Sequence, residues 1–446
     1  MKTPIADFVR AYAEKDGVRL HMPGHKGVSF LGCEPLDITE ICGADALYEA
    51  AGIIAESEKN AGALFGSGKT LYSTEGSSQC IRAMLHLAVS CRPAGAAPVV
   101  VAARNVHKAF VYAAALLDFE VVWLWPREDD SLCACRVSPD GLEQTLASLP
   151  APPAAVYVTS PDYLGGMADL EKLAAVCHRY GTVLAVDNAH GAYLHFLPRP
   201  AHPLDLGADL CCDSAHKTLP VLTGGAYLHI AKNAPAAFLK NAKTALALFG
   251  STSPSYLTLA SLDLCNRCLA EAYPDALART AARLDGVRSR LAAAGWCVRS
   301  SDPLRLTVSA PQGSSGTQLA KRLRLHGVEC EFADPDFLVL MATPQNSSGD
   351  FDRLAAALGE NKTAAVRRAP KTASPGERVC SIRQAVLSRQ ESVFAPEAVG
   401  RVCAAPTASC PPAIPIAVPG ERIGPEAAAL FAYYGIETVN VTAKDI

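Results

Sequence analysis

Charged residues are scarce in this 446-residue chain. They make up 19% of it, and its 41 lysines and arginines do not outnumber its 44 aspartates and glutamates. A chain without a basic excess lacks the field that attracts nucleic acid. Half of the residues are hydrophobic, which excludes an intrinsically disordered chain. Long apolar runs are also missing: even residues 99–117 contain Arg104, His107 and Lys108, so no membrane span is predicted.

The apolar core of a secretory leader is missing as well. The first 27 residues, MKTPIADFVRAYAEKDGVRLHMPGHKG, carry charges every few positions. We therefore expect a cytoplasmic protein whose 16 cysteines are reduced thiols. A structural zinc site needs two suitably spaced cysteine pairs, whereas the close pairs here fall in unrelated predicted elements: Cys133 with Cys135, Cys211 with Cys212, and Cys265 with Cys268. No metal is predicted.

Residues 60–230 alternate short β-branched runs with amphipathic stretches, which predicts an α/β fold with a mostly parallel sheet covered by helices. The predicted strands are 99–102, 120–124, 155–159, 182–186, 209–212 and 226–230. The predicted helices are 78–90, 108–117, 139–148 and 169–180, followed by a helical region at 255–295 that breaks at Pro274. We expect an N-terminal segment (1–50), a large domain (51–270), a small α/β domain (271–360), a linker (361–375) and a C-terminal domain (376–446).

The run from Gly66 to Thr70, GSGKT, ends like a nucleotide phosphate loop. That signature also needs a glycine at position 63, where this chain has Ala63. The preceding residues, EKNAGALF, look helical, although a phosphate loop leaves a strand. The sequence therefore predicts a simple turn after a helix.

A second run, Gly76-Ser77-Ser78, precedes the predicted helix 78–90 directly. Free N–H groups, two hydroxyls and the positive end of a helix dipole suit an anion such as phosphate. Serine is also an ordinary helix cap, so this run alone leaves both interpretations open.

A buried acid and a lysine follow at the ends of two predicted strands. Asp187 comes after TVLAV, and Lys217 comes shortly after DLCC. Pyridoxal phosphate needs a lysine for its internal aldimine and a carboxylate that keeps its pyridine nitrogen protonated. Ser214 and His216 flank the lysine and could add phosphate contacts. A structural aspartate with a solvated lysine is the alternative, but the run Gly76-Ser77-Ser78, Asp187 and Lys217 in this order favour the cofactor.

The run from Ser214 to Pro220, SAHKTLP, resembles the pyridoxal-phosphate attachment signature of the ornithine/lysine/arginine decarboxylase family. The resemblance covers nearly the whole chain and includes HMPGHKG (21–27), DITEICGAD (37–45), RNVHKA (104–109), SPDYLG (160–165), DNAHGA (187–192), STSPSYLTLASLD (251–263) and IPIAVPGERI (414–423). It implies an aspartate aminotransferase-like large domain of fold type I with smaller α/β C-terminal units. The chain resembles the short members without an N-terminal wing domain, among them biosynthetic arginine decarboxylases.

The resemblance also implies residue roles. Lys217 would carry the aldimine, Asp187 would pair with the pyridine nitrogen, His107 would stack on one ring face and pass a proton to the substrate carbon, and Ala189 would pack on the other face. The phosphate would be held by Ser77, Ser78, Ser214 and His216. Ser251 and Thr252 would reach the phosphate of a neighbouring protomer, which implies a homodimer with shared active sites.

The implied reaction is α-decarboxylation of a basic amino acid through aldimine and quinonoid intermediates. Arginine, giving agmatine for polyamine biosynthesis, is the leading substrate, and lysine and ornithine are the others. Another fold-type-I reaction (an aminotransferase, with Arg305 or Arg322 as carboxylate clamp, or a lyase) and a non-catalytic cofactor-binding homologue are the alternatives. Glu421 is a candidate partner for the distal charge of the substrate.

Three departures from the family pattern bear on the substrate. Asn188 stands where an acidic residue is common, and Gly224 stands where glutamine is usual. The tail that normally reads close to PYPPGIP is SCPPAIP here, at residues 409–415. These changes leave the predicted cofactor residues in place.

Overall fold

A computed structural model describes residues 1–92, 98–127, 130–299, 301–361, 365–370, 372, 374–407 and 413–443. The chain divides into two compact units. The first consists of Met1–Arg92 and Val183–Ala278, and the second of Pro93–Thr182 and Arg279–Ile446. In the described residues, no helix combines the length and apolar character needed to cross a membrane.

The helices of the described residues are α1 (Pro4–Glu14), α2 (Ile53–Leu64), α3 (Ser77–Ser90), α4 (Lys108–Leu117), α5 (Pro139–Ser148), α6 (Leu170–Arg179), α7 (Ala215–Thr218), α8 (Ala236–Ala247), α9 (Tyr256–Ala270), α10 (Tyr273–Ala293), α11 (Gly316–Leu325), α12 (Ser348–Leu358), α13 (Ile382–Leu387) and α14 (Pro425–Tyr433). The strands are β1 (Lys69–Ser73), β2 (Val99–Ala103), β3 (Glu120–Leu124), β4 (Ala155–Thr159), β5 (Leu184–Asp187), β6 (Leu210–Asp213), β7 (Ala226–Ile230), β8 (Val298–Arg299), β9 (Arg305–Ser309), β10 (Phe332–Ala333), β11 (Phe337–Met341), β12 (Gln390–Phe394) and β13 (Thr438–Thr442). Short 3-10 turns lie at Glu34–Leu36, Ala192–Phe196, Pro203–Leu206 and Ala395–Ala398.

In the first unit, four strands pair in the order β1-β7-β6-β5. Strands β5 and β6 are parallel, with Asp187 opposite Cys212, whereas β7 runs antiparallel to both β6 and β1. Every residue of β5, β6 and β7 is buried, as expected for central strands with apolar sequences. This pairing brings the carboxyl ends of β5 and β6 side by side.

In the second unit, β4, β2 and β3 form parallel pairs in that order. A separate antiparallel sheet has the order β10-β11-β9-β8, and its apolar face packs against helices that include α11 and α12. Strands β12 and β13, which are far apart in sequence, form a separate antiparallel pair. The pairs β5–β6, β4–β2 and β2–β3 are parallel and helices alternate with these strands, so the predicted α/β class with mostly parallel pairing is confirmed.

Two local predictions are also confirmed, and one needs refinement. Helix α2 ends at Leu64 and the chain turns at Gly66 into strand β1, so the run GSGKT is a turn after a helix and opens no helix. The helical region 255–295 is interrupted between Ala270 and Tyr273. Pro274 lies in the first turn of α10, where its missing N–H costs no hydrogen bond, so it starts a helix instead of kinking one.

Candidate active site

The turn before α3 is built to present hydrogen-bond donors. Gly76 has a φ of 71°, a conformation that favours glycine, and α3 begins at the next residue. The first N–H groups of a helix have no partner within it and lie at the positive end of its dipole. The Ser214 hydroxyl donates to Ser77 Oγ at 2.7 Å, so two of the predicted phosphate residues lie together. Ser78 is the second residue of the same helix.

Gly224 supports this turn from the opposite side, which explains one departure from the family pattern. Its carbonyl oxygen accepts the N–H of Gly76 at 2.8 Å. Its φ is 93°, and a Cβ there would lie 2.8 Å from the carbonyl oxygen of Thr74. Only glycine fits this conformation and this spacing, so a glutamine at position 224 is incompatible with the local backbone.

Asp187 ends strand β5 with its carboxylate 2% exposed. Its Oδ1 accepts the N–H of Ala189 at 3.1 Å, so the turn after the strand fixes this side chain. Ala189 is itself buried. A buried carboxylate of fixed orientation can hold a proton on a ring nitrogen, and this role of Asp187 stays a prediction.

Lys217 lies in the short helix α7 that follows strand β6. Its Nζ is 2.9 Å from Nε2 of His190, a buried side chain on the turn that follows Asp187. His190 belongs to the run DNAHGA, and the sequence alone predicts no role for it. His216 Nδ1 donates to the Gly225 carbonyl at 3.0 Å, which fixes the orientation of its ring. Its phosphate contact stays a prediction.

Asp213, the last residue of β6, is a buried carboxylate that sequence reasoning did not single out. Its Oδ1 accepts the Asn188 amide at 2.6 Å, and its Oδ2 accepts Nε2–H groups of His202 and His229 at 3.1 Å each. Burial opposes ionisation, but the two histidines outweigh it and hold the pKa of Asp213 below its ordinary value. A charged residue at the end of an otherwise apolar strand is the signal that could have identified it.

Three side chains of this cluster, His202, Cys211 and Asp213, lie close enough to share a metal ion. The proton arrangement favours hydrogen bonds instead. Nδ1 of His202 accepts the N–H of Leu204 at 3.4 Å, so its Nε2 carries the proton and donates to Asp213. Burial raises the pKa of Cys211 well above its ordinary value, which keeps this thiol protonated.

His107 belongs to the second unit, where it caps helix α4. Its Nδ1 accepts the N–H of Ala109 at 3.1 Å, so the proton of the neutral ring is on Nε2. This places the transferable proton of His107 at one defined atom. The predicted stacking on a cofactor ring stays a prediction.

Arg104, on the same turn, anchors the C-terminal tail. Its guanidinium is buried and donates to the carbonyls of Pro415 and Ile416 at 2.7 and 3.0 Å. It also lies 5.5 and 5.6 Å from the ring centroids of Trp123 and Trp125. The turn that carries His107 is therefore tied to the tail, a function of the RNVHKA run that sequence reasoning missed.

The altered tail lies partly outside the described residues, which omit 408–412 and resume at Ala413. This alanine has a φ of 58°, the left-handed region, at the position where the family pattern has glycine. Its carbonyl oxygen accepts the N–H of Lys108 at 2.8 Å. Ala413 thus keeps the backbone shape of a glycine while carrying a methyl group.

Arg305 and Arg322, the candidate carboxylate clamps, are both engaged within the second unit. Arg305 is 1% exposed and donates to the carbonyls of Asp162 and Tyr163. Arg322 donates to the Leu358 carbonyl at 2.6 Å and stacks on a tryptophan. These contacts give both arginines a structural role.

Glu421 and the pair Ser251 and Thr252 complete the predicted set. Burial raises the pKa of Glu421, and the nearby Arg104 opposes that rise. Its contact with a substrate stays a prediction. Ser251 and Thr252 are exposed in the loop between α8 and α9, where the Ser251 N–H lies 3.4 Å from a carboxylate oxygen of Glu75. Their reach to a neighbouring protomer also stays a prediction.

Known proteins resemble this chain over nearly its whole length. Residues 3–307 match the family described as Orn/Lys/Arg decarboxylase, major domain, and residues 362–440 match its C-terminal domain. An arginine decarboxylase of Halalkalibacterium halodurans is 30% identical, over 95% of this chain and 91% of that protein.

Two solved structures share the fold. A lysine decarboxylase of Francisella novicida superposes with a TM-score of 0.79 at 16% identity, over 99% of this chain and 80% of that one. A structure described as SPT with PLP has a TM-score of 0.55 at 16% identity, over 68% of this chain and 75% of its own. The predicted fold type is therefore confirmed.

Proposed function

We propose that this chain, which belongs to the Orn/Lys/Arg decarboxylase family and is an amino acid decarboxylase, uses pyridoxal phosphate to remove the α-carboxylate of arginine. Family membership supports basic amino acids as the substrate class. One observation within the first unit carries the proposal. Ser77 begins helix α3, Asp187 is the last residue of β5, and Lys217 lies in the short helix that follows β6.

The residues present fit this cofactor. The paired hydroxyls of Ser77 and Ser214, with the N–H groups at the start of a 14-residue helix, form a donor set for phosphate. The buried Asp187 supplies a carboxylate for a ring nitrogen, and Lys217 supplies the primary amine that condenses with an aldehyde. When bound, the cofactor supplies an electron sink for the electron pair left by carbon dioxide.

The chain's own groups direct the reaction. Asp187 holds the proton on the ring nitrogen that makes the sink effective. His190 Nε2, at 2.9 Å from Lys217 Nζ, accepts a proton from that amine when the lysine must act as a nucleophile. His107 offers a proton from Nε2 to the substrate carbon after carboxylate loss, because its Nδ1 is occupied by Ala109. Orientation of the breaking bond is a positioning effect.

Arginine is proposed as the substrate because the relative with 30% identity is named an arginine decarboxylase. Lysine and ornithine remain the other basic candidates. An aminotransferase reaction is less well supported, since Arg305 and Arg322 are occupied by backbone carbonyls and do not offer a free clamp. A non-catalytic role is also less well supported, because the lysine, the buried acid and the phosphate hydroxyls are all in place.

We further propose that the chain works as a homodimer with shared active sites. Six large apolar side chains are more than half exposed between residues 18 and 31, and they are Val18, Leu20, Met22, Val28, Phe30 and Leu31. Burial of such a patch against a second copy would stabilise the assembly.

The fifteen cysteines of the described residues are free thiols, which supports a reducing compartment such as the cytoplasm.

Covalent attachment at Lys217 tests the cofactor assignment. The purified chain is incubated with pyridoxal phosphate, treated with borohydride and digested for peptide mapping. We expect one modified peptide that contains Lys217, and none in Lys217→Ala. Lys232→Ala, which changes an exposed lysine of the same unit, serves as the matched control and should keep the label. Labelling spread over surface lysines, unchanged in Lys217→Ala, would contradict the proposal.

A further inference from the structure

The parallel strands β5 and β6 lead to the two groups that the proposed chemistry needs, Asp187 and Lys217. Asp187 ends β5, while Asp213 ends β6 and stands four residues before Lys217. Asn188 connects the two ends: its Nδ2 donates to Asp213 Oδ1 at 2.6 Å, and its backbone N–H donates to the Cys212 carbonyl at 3.0 Å. The Asp187 turn is thereby tied to the strand that leads to the lysine.

The other oxygen of Asp213 extends this connection to the remaining strands of the first unit. It accepts Nε2–H from His202 and from His229, which lies in β7. Nδ1 of His229 pairs with Oγ1 of Thr70 on β1 at 2.8 Å. All four side chains are buried, and burial lowers the pKa of His229, so its ring is neutral and donates one proton. Three donors thus surround one buried carboxylate.

Asn188 gives up one hydrogen bond to make this contact. Its Oδ1 is buried and has no hydrogen-bond partner among the described residues, which is a costly condition for an acceptor. A Cβ on Gly191 would lie 2.0 Å from that oxygen, so only glycine leaves room for it. The amide is therefore held with its donor toward Asp213. An acidic residue at 188 would instead place a second carboxylate within hydrogen-bond distance of the first.

We propose that the Asp213 carboxylate is a positioning residue for the cofactor site. Positions 188 and 213 together carry one negative charge, and in this chain that charge is on Asp213. Its hydrogen bond with Asn188 fixes the turn after Asp187 against the segment that presents Lys217. Asp213 acts through Asn188 and through its own strand, and it touches neither cofactor nor substrate. This inference rests on the proposed function.

The strand pair offers a matched control at its other end. Asp209 precedes β6, and its Oδ2 accepts the N–H of Leu184 at 2.8 Å. This buried carboxylate also joins β5 to β6, but at their amino ends. Asp209→Asn should therefore lower stability without altering the cofactor site.

The test uses the full chain and compares Asn188→Asp, Asp213→Asn, the double variant with both changes, and Asp209→Asn. Pyridoxal phosphate affinity is measured by fluorescence titration of the apoprotein. The visible absorbance of the bound cofactor is followed as a function of pH, and the stability of each variant is given by the midpoint of its urea unfolding. We expect each single change at 188 or 213 to weaken cofactor affinity about tenfold or more and to shift the absorbance pH profile. The double variant should recover most of both losses, because it restores one charge and one amide. Asp209→Asn should shift only the urea midpoint.

The inference is overturned if Asp213→Asn keeps the original affinity and pH profile, or if the double variant binds no better than the single variants. Should Asp213→Asn fail to fold, the comparison of Asn188→Asp with the double variant decides. Failure of the proposed function looks different, because the unsubstituted chain then binds no pyridoxal phosphate at Lys217. Binding by that chain with no difference among the variants refutes only the role of Asp213.

Discussion

Ala413 should tolerate replacement by glycine far better than a comparable alanine in the same tail segment. Its φ of 58° costs a residue with a Cβ about 1–2 kcal/mol. Replacing a buried alanine with glycine in ordinary backbone loses about 0.8 kcal/mol for the methyl group and about 0.4–1 kcal/mol through the freer unfolded chain. Ala417 is such a residue, since it is 4% exposed against 3% for Ala413 and has no positive φ.

We therefore expect Ala417→Gly to lower the free energy of unfolding by about 1–2 kcal/mol and Ala413→Gly to leave it nearly unchanged. Urea unfolding followed by tryptophan fluorescence suits this comparison, because Trp123 and Trp125 lie beside the arginine that holds the tail. Equal losses in the two variants would refute the reasoning, since they would show that the left-handed backbone at Ala413 carries no cost.

Three further predictions concern individual turns of the two units. Arg104→Lys should expose the tail to limited proteolysis and lower the free energy of unfolding by roughly 1–3 kcal/mol. The reason is that lysine lacks the planar guanidinium group that donates to two carbonyls. An unchanged cleavage pattern would contradict the anchoring role. Gly224→Ala should weaken pyridoxal phosphate affinity about tenfold in a fluorescence titration, since its Cβ would press on the turn before α3. Gly181→Ala, also at positive φ but with open space around its Cβ, should leave that affinity unchanged. Burial raises the pKa of Asp162 to about 6, so the folded chain binds this proton more tightly than the unfolded one. The free energy of unfolding should therefore fall as pH rises from about 4 to about 6, by up to about 3 kcal/mol, and Asp162→Asn should flatten that slope in urea titrations; a slope unchanged by the substitution would refute the assignment.

Prediction from the sequence was most accurate for the short, buried strands of the sheet. The strands around Asp187 and Asp213 were predicted to within two residues because their apolar runs are short and bounded. Lys217 was singled out because pyridoxal phosphate requires a lysine and this one follows a buried strand; its role stays a prediction. The turn at Gly66 was likewise predicted from the helical pattern before it.

What the sequence left open depends on contacts between residues distant along the chain. His202 and His229 meet at Asp213 only because β6 and β7 pair and the segment before β6 folds back on them. The contact of His190 with Lys217 spans 27 residues and depends on the side-by-side strand ends. Arg104 meets the tail across more than 300 residues. No local periodicity encodes such contacts.

Product analysis tests the central claim most directly. The purified chain, supplied with pyridoxal phosphate, is offered arginine, lysine and ornithine in separate reactions, with Lys217→Ala in parallel. We expect release of carbon dioxide and accumulation of agmatine from arginine, with neither product in the variant. If the chain binds the cofactor at Lys217 and yet forms no amine from any of the three amino acids, decarboxylation of a basic amino acid is contradicted.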